Sequence, residues 1–495
     1  MHIINELLQE IGSGCVTSTA YDTAWLVRLG SQAEDLSKPA LEWLCENQLS
    51  DGSWGARGIF YYHDKVICTL SAMIALARQG KRTYDRVQIE KGLQSLGKFA
   101  AGATGGLSAD PNGATVGFEM IAPTLVTEAE ELGLITQQAD RILGRMAKMR
   151  AVKLEKLAGK KINRYVTPAF SAEMAGMDGQ NALEIDNLQE PNGSVANSPS
   201  ATAYFAIHLH PGEERSLEYL RRVVNSDNGA PAFAPIDIFE VAWTLWNIKL
   251  IPNLGGLDEQ LLKSHLEFLR INWDDKTGIG TAFKGTIKDG DDSGLVFDVL
   301  ASFGVMQDVN TILEYEEVDY FRCFFLESNP SISTNIHILG ALRQAGIKRD
   351  HPSVKKITRF LRSVMQPAGF WFDKWHASPY YATSHAVITF AGYDDVQVES
   401  AVEWILSTQR SNGAWGYYED CTPEETSYCI QALSIWCLHS STPRVRNSIR
   451  LAYNWMISNP NAQNPSLWIG KALYCPSKVV RSSILSALHL AEYVQ

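Results

Sequence analysis

An all-α fold is what this sequence predicts, on three observations. Apolar residues recur at helical spacing, sustained two-residue alternation is hard to find, and clusters of Gly, Pro, Asn and Asp punctuate the helical stretches. The chain has 495 residues, 45% of them hydrophobic, 20% charged and 10% aromatic. That composition excludes a disordered chain, a collagen-like chain and a small disulfide scaffold. The length suits two or three core-forming units better than one.

Along the chain, Phe239, Ala242, Trp243 and Trp246 form one stripe of a 3.6-residue period. Leu295, Val296, Val299, Leu300 and Phe303 form another, Ile430, Leu433 and Cys437 a third, and Ile484, Leu488 and Ala491 the last. Turns fall at Ser50-Asp51-Gly52, Asp110-Pro111-Asn112-Gly113, Glu190-Pro191-Asn192-Gly193 and Ser411-Asn412-Gly413. One motif recurs. Residues 48–55 and 409–416 both read Q-x-x-(D/N)-G-x-W-G, with weaker echoes at 366–371 and 189–194. Two near-identical copies so far apart predict two related helical units. The Gly permits the turn, and the Trp stacks back on the Gln amide, whose polar atoms serve helix ends. The motif is structural and says nothing of chemistry.

Lys plus Arg number 44 and Asp plus Glu 55, a net charge of −11. An acidic chain is a poor partner for nucleic acid or an anionic membrane, so an anionic ligand needs a local basic site. The eight cysteines are scattered, without CxxC pairs or zinc spacing, and read as reduced, mostly buried thiols of a cytoplasmic protein. The N-terminus lacks a basic n-region, and no stretch approaches the roughly 20 apolar residues of a membrane span.

The segment that points to chemistry is Lys288-Asp289-Gly290-Asp291-Asp292-Ser293, just before an apolar helix. Acidic residues at a helix start are commonly a cap and first turn favoured by the helix dipole. Crowded carboxylates can also form a tuned acid, because they cannot all ionise and one keeps a proton at neutral pH. Spacing alone leaves both readings open. An EF-hand fails for want of a later loop glutamate.

Asp289-Gly290-Asp291-Asp292 has the D-x-D-D form that marks class II terpene cyclases, and the paired Gln–Trp motifs belong to the same superfamily. Ser18-Thr-Ala-Tyr21-Asp22-Thr23-Ala-Trp25 is similar to a motif of the diterpene branch. Further matches are Ser198 to Ala203, Pro235 to Glu240, Asp373-Lys374-Trp375 through Ser378-Pro379-Tyr380-Tyr381, Glu424 to Tyr428, and Leu467 to Lys471 through Arg481. They run in family order over nearly the whole chain. The sequence resembles bacterial class II diterpene cyclases, most of all the halimadienyl (tuberculosinyl) and kolavenyl diphosphate synthases.

That resemblance implies two α-barrel (α/α toroid) units, called β and γ, and no α domain. Residues 1–18 would be the first helix of the β unit, 19–239 the inserted γ unit, and 240–495 the rest of β. It implies protonation-initiated cyclisation of geranylgeranyl diphosphate with the diphosphate retained. Asp291 would donate the proton, with Asp289 and Asp292 supporting. Asn335 would hold the acidic proton, and His337 is a base or orienting group. His337 lies roughly 200° from Asn335 around a helix and need not share its face. Trp371, Trp375, Tyr380 and Tyr381 would face the cation. Lys374, Lys471 and Arg481 would bind the diphosphate with Mg²⁺, near a metal-associated pair Glu184 and Asp186. No Gly-rich phosphate loop is present, and basic residues also crowd Arg141 to Arg164. Asp274-Asp275 and Asp394-Asp395 are turn acids, not a class I ionisation motif.

Plant ent-copalyl diphosphate synthases quench the cation with water held by a His and an Asn. Their motifs fall at Ser171-Ala172-Glu173 and Pro231-Ala232-Phe233 here, where both polar groups are missing. A rearranged product of halimadane or clerodane type is therefore expected over copalyl diphosphate. The expected setting is the cytoplasm, as a possible homodimer without nucleic acid or integral membrane, upstream of a class I terpene synthase or a phosphatase. A labdane-type copalyl synthase, a squalene-type triterpene cyclase and a non-catalytic prenyl-binding toroid are the alternatives.

Overall fold

A computed structural model describes residues 1–102, 110, 113–135, 155, 159–283, 287–325, 327 and 329–494. Most of the basic run 141–164 lies outside them. The described residues are overwhelmingly helical, with one two-stranded antiparallel sheet, β1 (Trp468–Ile469) and β2 (Leu473–Tyr474).

We number the described α-helices in chain order: α1 (His2–Glu10), α2 (Ala20–Arg28), α3 (Glu34–Glu46), α4 (Tyr62–Gln79), α5 (Thr83–Gly102), α6 (Phe118–Glu131), α7 (Pro199–Tyr204), α8 (Glu214–Val223), α9 (Asp237–Lys249) and α10 (Glu259–Asn272). There follow α11 (Gly290–Ser302), α12 (Asn310–Leu313), α13 (Ile332–Gln344), α14 (Pro352–Val364), α15 (Pro379–Phe390), α16 (Glu399–Thr408), α17 (Pro423–His439), α18 (Pro443–Ser458) and α19 (Ser477–Val494).

In the later unit α9, α11, α13, α15, α17 and α19 pack each on the next, and α19 returns to α9, closing a ring. These helices are buried on nearly every face because α10, α14, α16 and α18 flank them outside. Their starts are written in the sequence. Asp289, Ser331, Ser378 and Thr422 cap α11, α13, α15 and α17, and Pro379 and Pro423 occupy first helical positions. The earlier unit closes similarly through α2, α4, α6, the 3-10 segment Thr167–Ala175 and α7.

Two large cores result, with a small third cluster where Ala56, Ile59 and Tyr61 meet Ala377, Leu467, Ile469 and Leu473. Ile4, Leu7 and Leu8 of α1 and the following Ile11 join the core built from residues 232–491, whereas residues 20–230, with Ala472, form the other. The chain thus starts in one unit, builds the second and returns. At the crossing Gly14 has φ +63°, and a Cβ there would lie 2.4 Å from the backbone nitrogens of Ile236 and Asp237.

The repeat motif is structural in detail. Gln48 Nε2 donates to Gly52 O (2.8 Å) and Gln88 O (2.9 Å), and Gln409 Nε2 to Gly413 O (2.7 Å) and Ser448 O (2.9 Å). The indole N–H of Trp54, Trp371 and Trp415 each donates at 2.8 Å to a carbonyl ten residues upstream. Each copy clips its turn and ties it back to the preceding helix. Asp274 also proves a turn acid, its Oδ1 accepting from Lys276 and Thr277, and Asp395 accepts from Gly392 N–H.

Candidate active site

The D-x-D-D segment opens α11. Asp289 is its cap, with Oδ1 accepting from the N–H of Asp291 and of Asp292, both at 2.9 Å. Gly290 is demanded by its surroundings, since a Cβ there would lie 2.3 Å from the Arg322 carbonyl oxygen. Asp289 and Asp292 are buried, whereas the Asp291 side chain stays 13% exposed. Only the middle acid of the three is presented.

Burial pushes the Asp289 carboxyl up to about 7, although hydrogen bonds from Asp292 draw it back. Burial, then the Asp289 charge, holds Asp292 well above the ordinary carboxylate range. Asp289 Oδ2 and Asp292 Oδ1 find no donor elsewhere in the protein. Two buried carboxyls so close cannot both ionise, so the pair keeps a proton at neutral pH.

Asp291 Oδ1 lies 2.7 Å from His337 Nδ1, and His337 Nε2 lies 2.9 Å from His385 Nδ1. The contact depends on close packing of α11 against α13. A Cβ on Gly294 would sit 3.0 Å from Ile338 N and 3.1 Å from His337 C, so glycine allows that approach. Burial, then the charges of His337, His376 and Lys249, holds His385 well below the usual imidazole range and thus neutral. The Asp291 carboxyl thus stands in the first turn of α11 with the His337 imidazole against its Oδ1.

Aromatic rings surround this dyad. Trp243 meets His337 edge-on at 5.6 Å between centroids, and its indole donates to Tyr381 Oη at 3.0 Å. Phe239 stacks on Trp243 at 4.1 Å, and Trp468 meets Phe239 at 5.4 Å and Tyr381 at 4.9 Å. Burial, then the Asp291 charge, raises the Tyr381 phenol well above its ordinary value. At the rim of the group, buried Glu424 Oε1 accepts from Tyr428 Oη (2.9 Å) and Trp468 Nε1 (2.9 Å) and faces His376 Nε2 at 3.1 Å. Such surroundings offer π faces to a cation and little water.

Several expectations are corrected. Asn335 does not meet the acid, because its amide is consumed by the Phe321 N–H and carbonyl and by Ser331 O. His337, one face over on the same helix, takes that place. Trp371 is the clamp of a turn, and Tyr380 packs on Trp404 at 4.8 Å. Lys374 is paired with Glu327 (2.6 Å) and also donates to Asn329 O. Lys471 is buried, donating to Glu173 Oε1 (2.6 Å), Ser198 Oγ and Ser200 Oγ (both 2.7 Å), so it pins the later unit to the earlier one. Arg481 pairs with Glu10 at 2.9 Å, where α19 passes α1. Tyr381 does join the site. Trp375 is half-buried beneath the Lys374 ammonium, 4.9 Å from its ring. His385, Trp243, Phe239, Trp468 and Glu424 were not anticipated. A signal existed: Asp291 to His337 is 46 residues and His337 to His385 is 48, near the helix-pair period of the barrel.

Glu184 takes a hydrogen bond from Asn163 Nδ2 (2.7 Å), and Asp186 is exposed. Among the described residues no group of three or more His, Cys, Asp or Glu is arranged to hold a metal. Glu184 and Asp186 belong to no such group.

Comparison with known proteins agrees with this chemistry. Residues 304–461 match the squalene-hopene cyclase C-terminal domain. The chain is 46% identical over 488 residues to the type B diterpene cyclase of Mycobacterium tuberculosis, covering 97% of each. It is 28% identical to an ent-copalyl diphosphate synthase of a Streptomyces species, covering 98% of this chain and 94% of that one. The solved ent-copalyl diphosphate synthase from Streptomyces platensis superimposes with a TM-score of 0.81 over 99% of both chains at 28% identity. A fold of two helical rings, a presented aspartic acid and nearly full-length identity lead to one conclusion: the chain belongs to the diterpene cyclases of class II type.

Proposed function

We propose that the protein cyclises geranylgeranyl diphosphate by protonating its terminal alkene from Asp291 and leaves the diphosphate in place. The observation that carries this is the Asp291 side chain, 13% exposed and 2.7 Å from His337, between the buried carboxyls of Asp289 and Asp292. As the proton passes to the alkene, the C–H bond forms from the Asp291 O–H, and the cation left at the tertiary carbon is attacked by the next double bond. His337 N–H holds the new carboxylate. Mg²⁺ belongs to the substrate, arriving on the diphosphate and shielding its charge. The product then serves a class I synthase or a phosphatase. A cytoplasmic setting and a homodimer belong to the same reading; no helix of the described residues is long and apolar enough to cross a membrane.

The bicyclic cation rearranges before it loses its last proton, giving a halimadane or clerodane (kolavenyl) skeleton. Ala172 and Ala232 are fully buried, and beside them Phe233 packs edge-on against Phe170 (5.9 Å) and Tyr474 (5.0 Å). Neither alanine offers a side-chain group to hold a water beside an early cation, and the ionic groups next to them, Glu173 and Lys471, are paired with each other at 2.6 Å. Incubation with geranylgeranyl diphosphate and Mg²⁺, then phosphatase, mass spectrometry and NMR, tests both steps. A bicyclic rearranged alcohol is expected. Recovered geranylgeraniol alone would refute cyclisation, and copalol alone would refute the rearrangement.

A further inference from the structure

His385 is the one histidine of the polar chain that cannot touch the substrate-facing acid, yet it is built into the site with care. It is 1% exposed, stacked on Trp246 at 4.2 Å with an interplanar angle of 16°, and met by the tilted ring of Tyr381 at 4.3 Å. Two rings leave its imidazole no freedom to turn, and its Nδ1 points at His337 Nε2 from 2.9 Å.

A neutral histidine has one N–H and two places to carry it, and only a proton on Nδ1 lets His337 donate to Asp291. With the proton on Nε2 instead, His337 would accept from Asp291 and draw the acidic hydrogen away from the alkene. We propose that His385 is a positioning residue, which fixes His337 with Nδ1–H toward Asp291. This rests on Asp291 being the proton donor. Two arrangements meet the geometry. His385 donates from Nδ1 to a neutral His337, or accepts from a charged one; in both, Nδ1–H of His337 faces the acid.

The other groups facing His385 are consistent with its staying neutral. Trp246 lies on α9, whose Lys249 ammonium is paired with Asp298 of α11 at 2.5 Å. His376 precedes α15 and faces Glu424, and Tyr428 of α17 approaches to 6.1 Å. Among the described residues no carboxylate is bonded to His385 to draw a second proton onto it.

The test sets His385→Phe against His385→Asn. Phe keeps the stack on Trp246 and suits a buried apolar slot, but offers His337 nothing. Asn puts an amide near the Nδ1 position and sacrifices the stack. A positioning role predicts that Phe lowers kcat about tenfold or more at little change in KM, whereas Asn recovers part of the loss despite melting lower. Nitrogen-15 NMR of the histidines should show the His337 proton leaving Nδ1 in the Phe variant. A purely packing role predicts the reverse order, with Phe as active as the parent and Asn the weaker, and that order would overturn the inference. Asp291→Asn run alongside separates the two claims. If it still cyclises, the donor assignment fails; if it is inactive while His385→Phe is fully active, only the role of His385 fails.

Discussion

At the residue scale, the three acids of the motif divide their work by burial. Asp289 and Asp292 keep a proton that an unfolded aspartate releases near about pH 3.9, and Asp289 holds it up to about 7. Each folded carboxyl is raised above its unfolded value, so this contribution to stability is complete below about pH 4 and is lost as pH rises toward 7. Thermal melts should therefore fall across that window, and go on falling above it as Asp292 in turn gives up its proton. Asp292→Asn, which supplies a permanent donor to Asp289, should flatten the slope. Equal slopes in both proteins would contradict a proton kept by the pair. His337 and Asn335 separate in the same way. His337→Ala should cost on the order of 10²–10⁴ in kcat with modest destabilisation. Asn335→Ala should instead cost about 1–3 kcal/mol of stability, by orphaning the Phe321 backbone, as read from urea denaturation.

At the element scale, what was legible in the sequence was local. The D-x-D-D cap, the Ser, Thr and Pro helix starts and the Gln–Trp clips act within one turn or one helix pair, so they leave their mark in adjacent letters. The contact of Asp291 with His337 depends on the register of α11 against α13, and the place of His385 on a third helix. Neighbouring residues do not record such registers. The resemblance chose Asn335 because it matched a family position, whereas the helix turned His337 to the acid. Basic residues misled for a related reason. Lys374, Lys471 and Arg481 were read as ligands of an anion, but each already answers a carboxylate of this protein. Gly290 tests the element directly. Gly290→Ala places a methyl against the Arg322 carbonyl, so it should cost about 1–3 kcal/mol in urea denaturation and lower turnover as the helix start shifts.

At the scale of the whole molecule, the first helix belongs to the core of the last one, and the hairpin carrying β1 and β2 reaches from the later unit into the earlier. Leu473 N–H donates to Asp64 (2.8 Å), Val116 N–H to Gly470 O (2.9 Å), and Lys471 is buried against Glu173. The site's aromatic rings Trp468 and Tyr474 stand on that hairpin, so the seam and the site are one construction. Lys471→Met should leave Glu173 buried without its cation and destabilise the protein by about 3–5 kcal/mol. Denaturant unfolding measures this, and a change below about 1 kcal/mol would contradict the pin.

The central claim is a proton passed from one side chain, and the most direct measurement is product formation by purified Asp291→Asn protein with geranylgeranyl diphosphate, beside a thermal melt. The account predicts an unchanged melt and cyclised product reduced by on the order of 10²-fold or more. A folded variant that cyclises at the parent rate would contradict it.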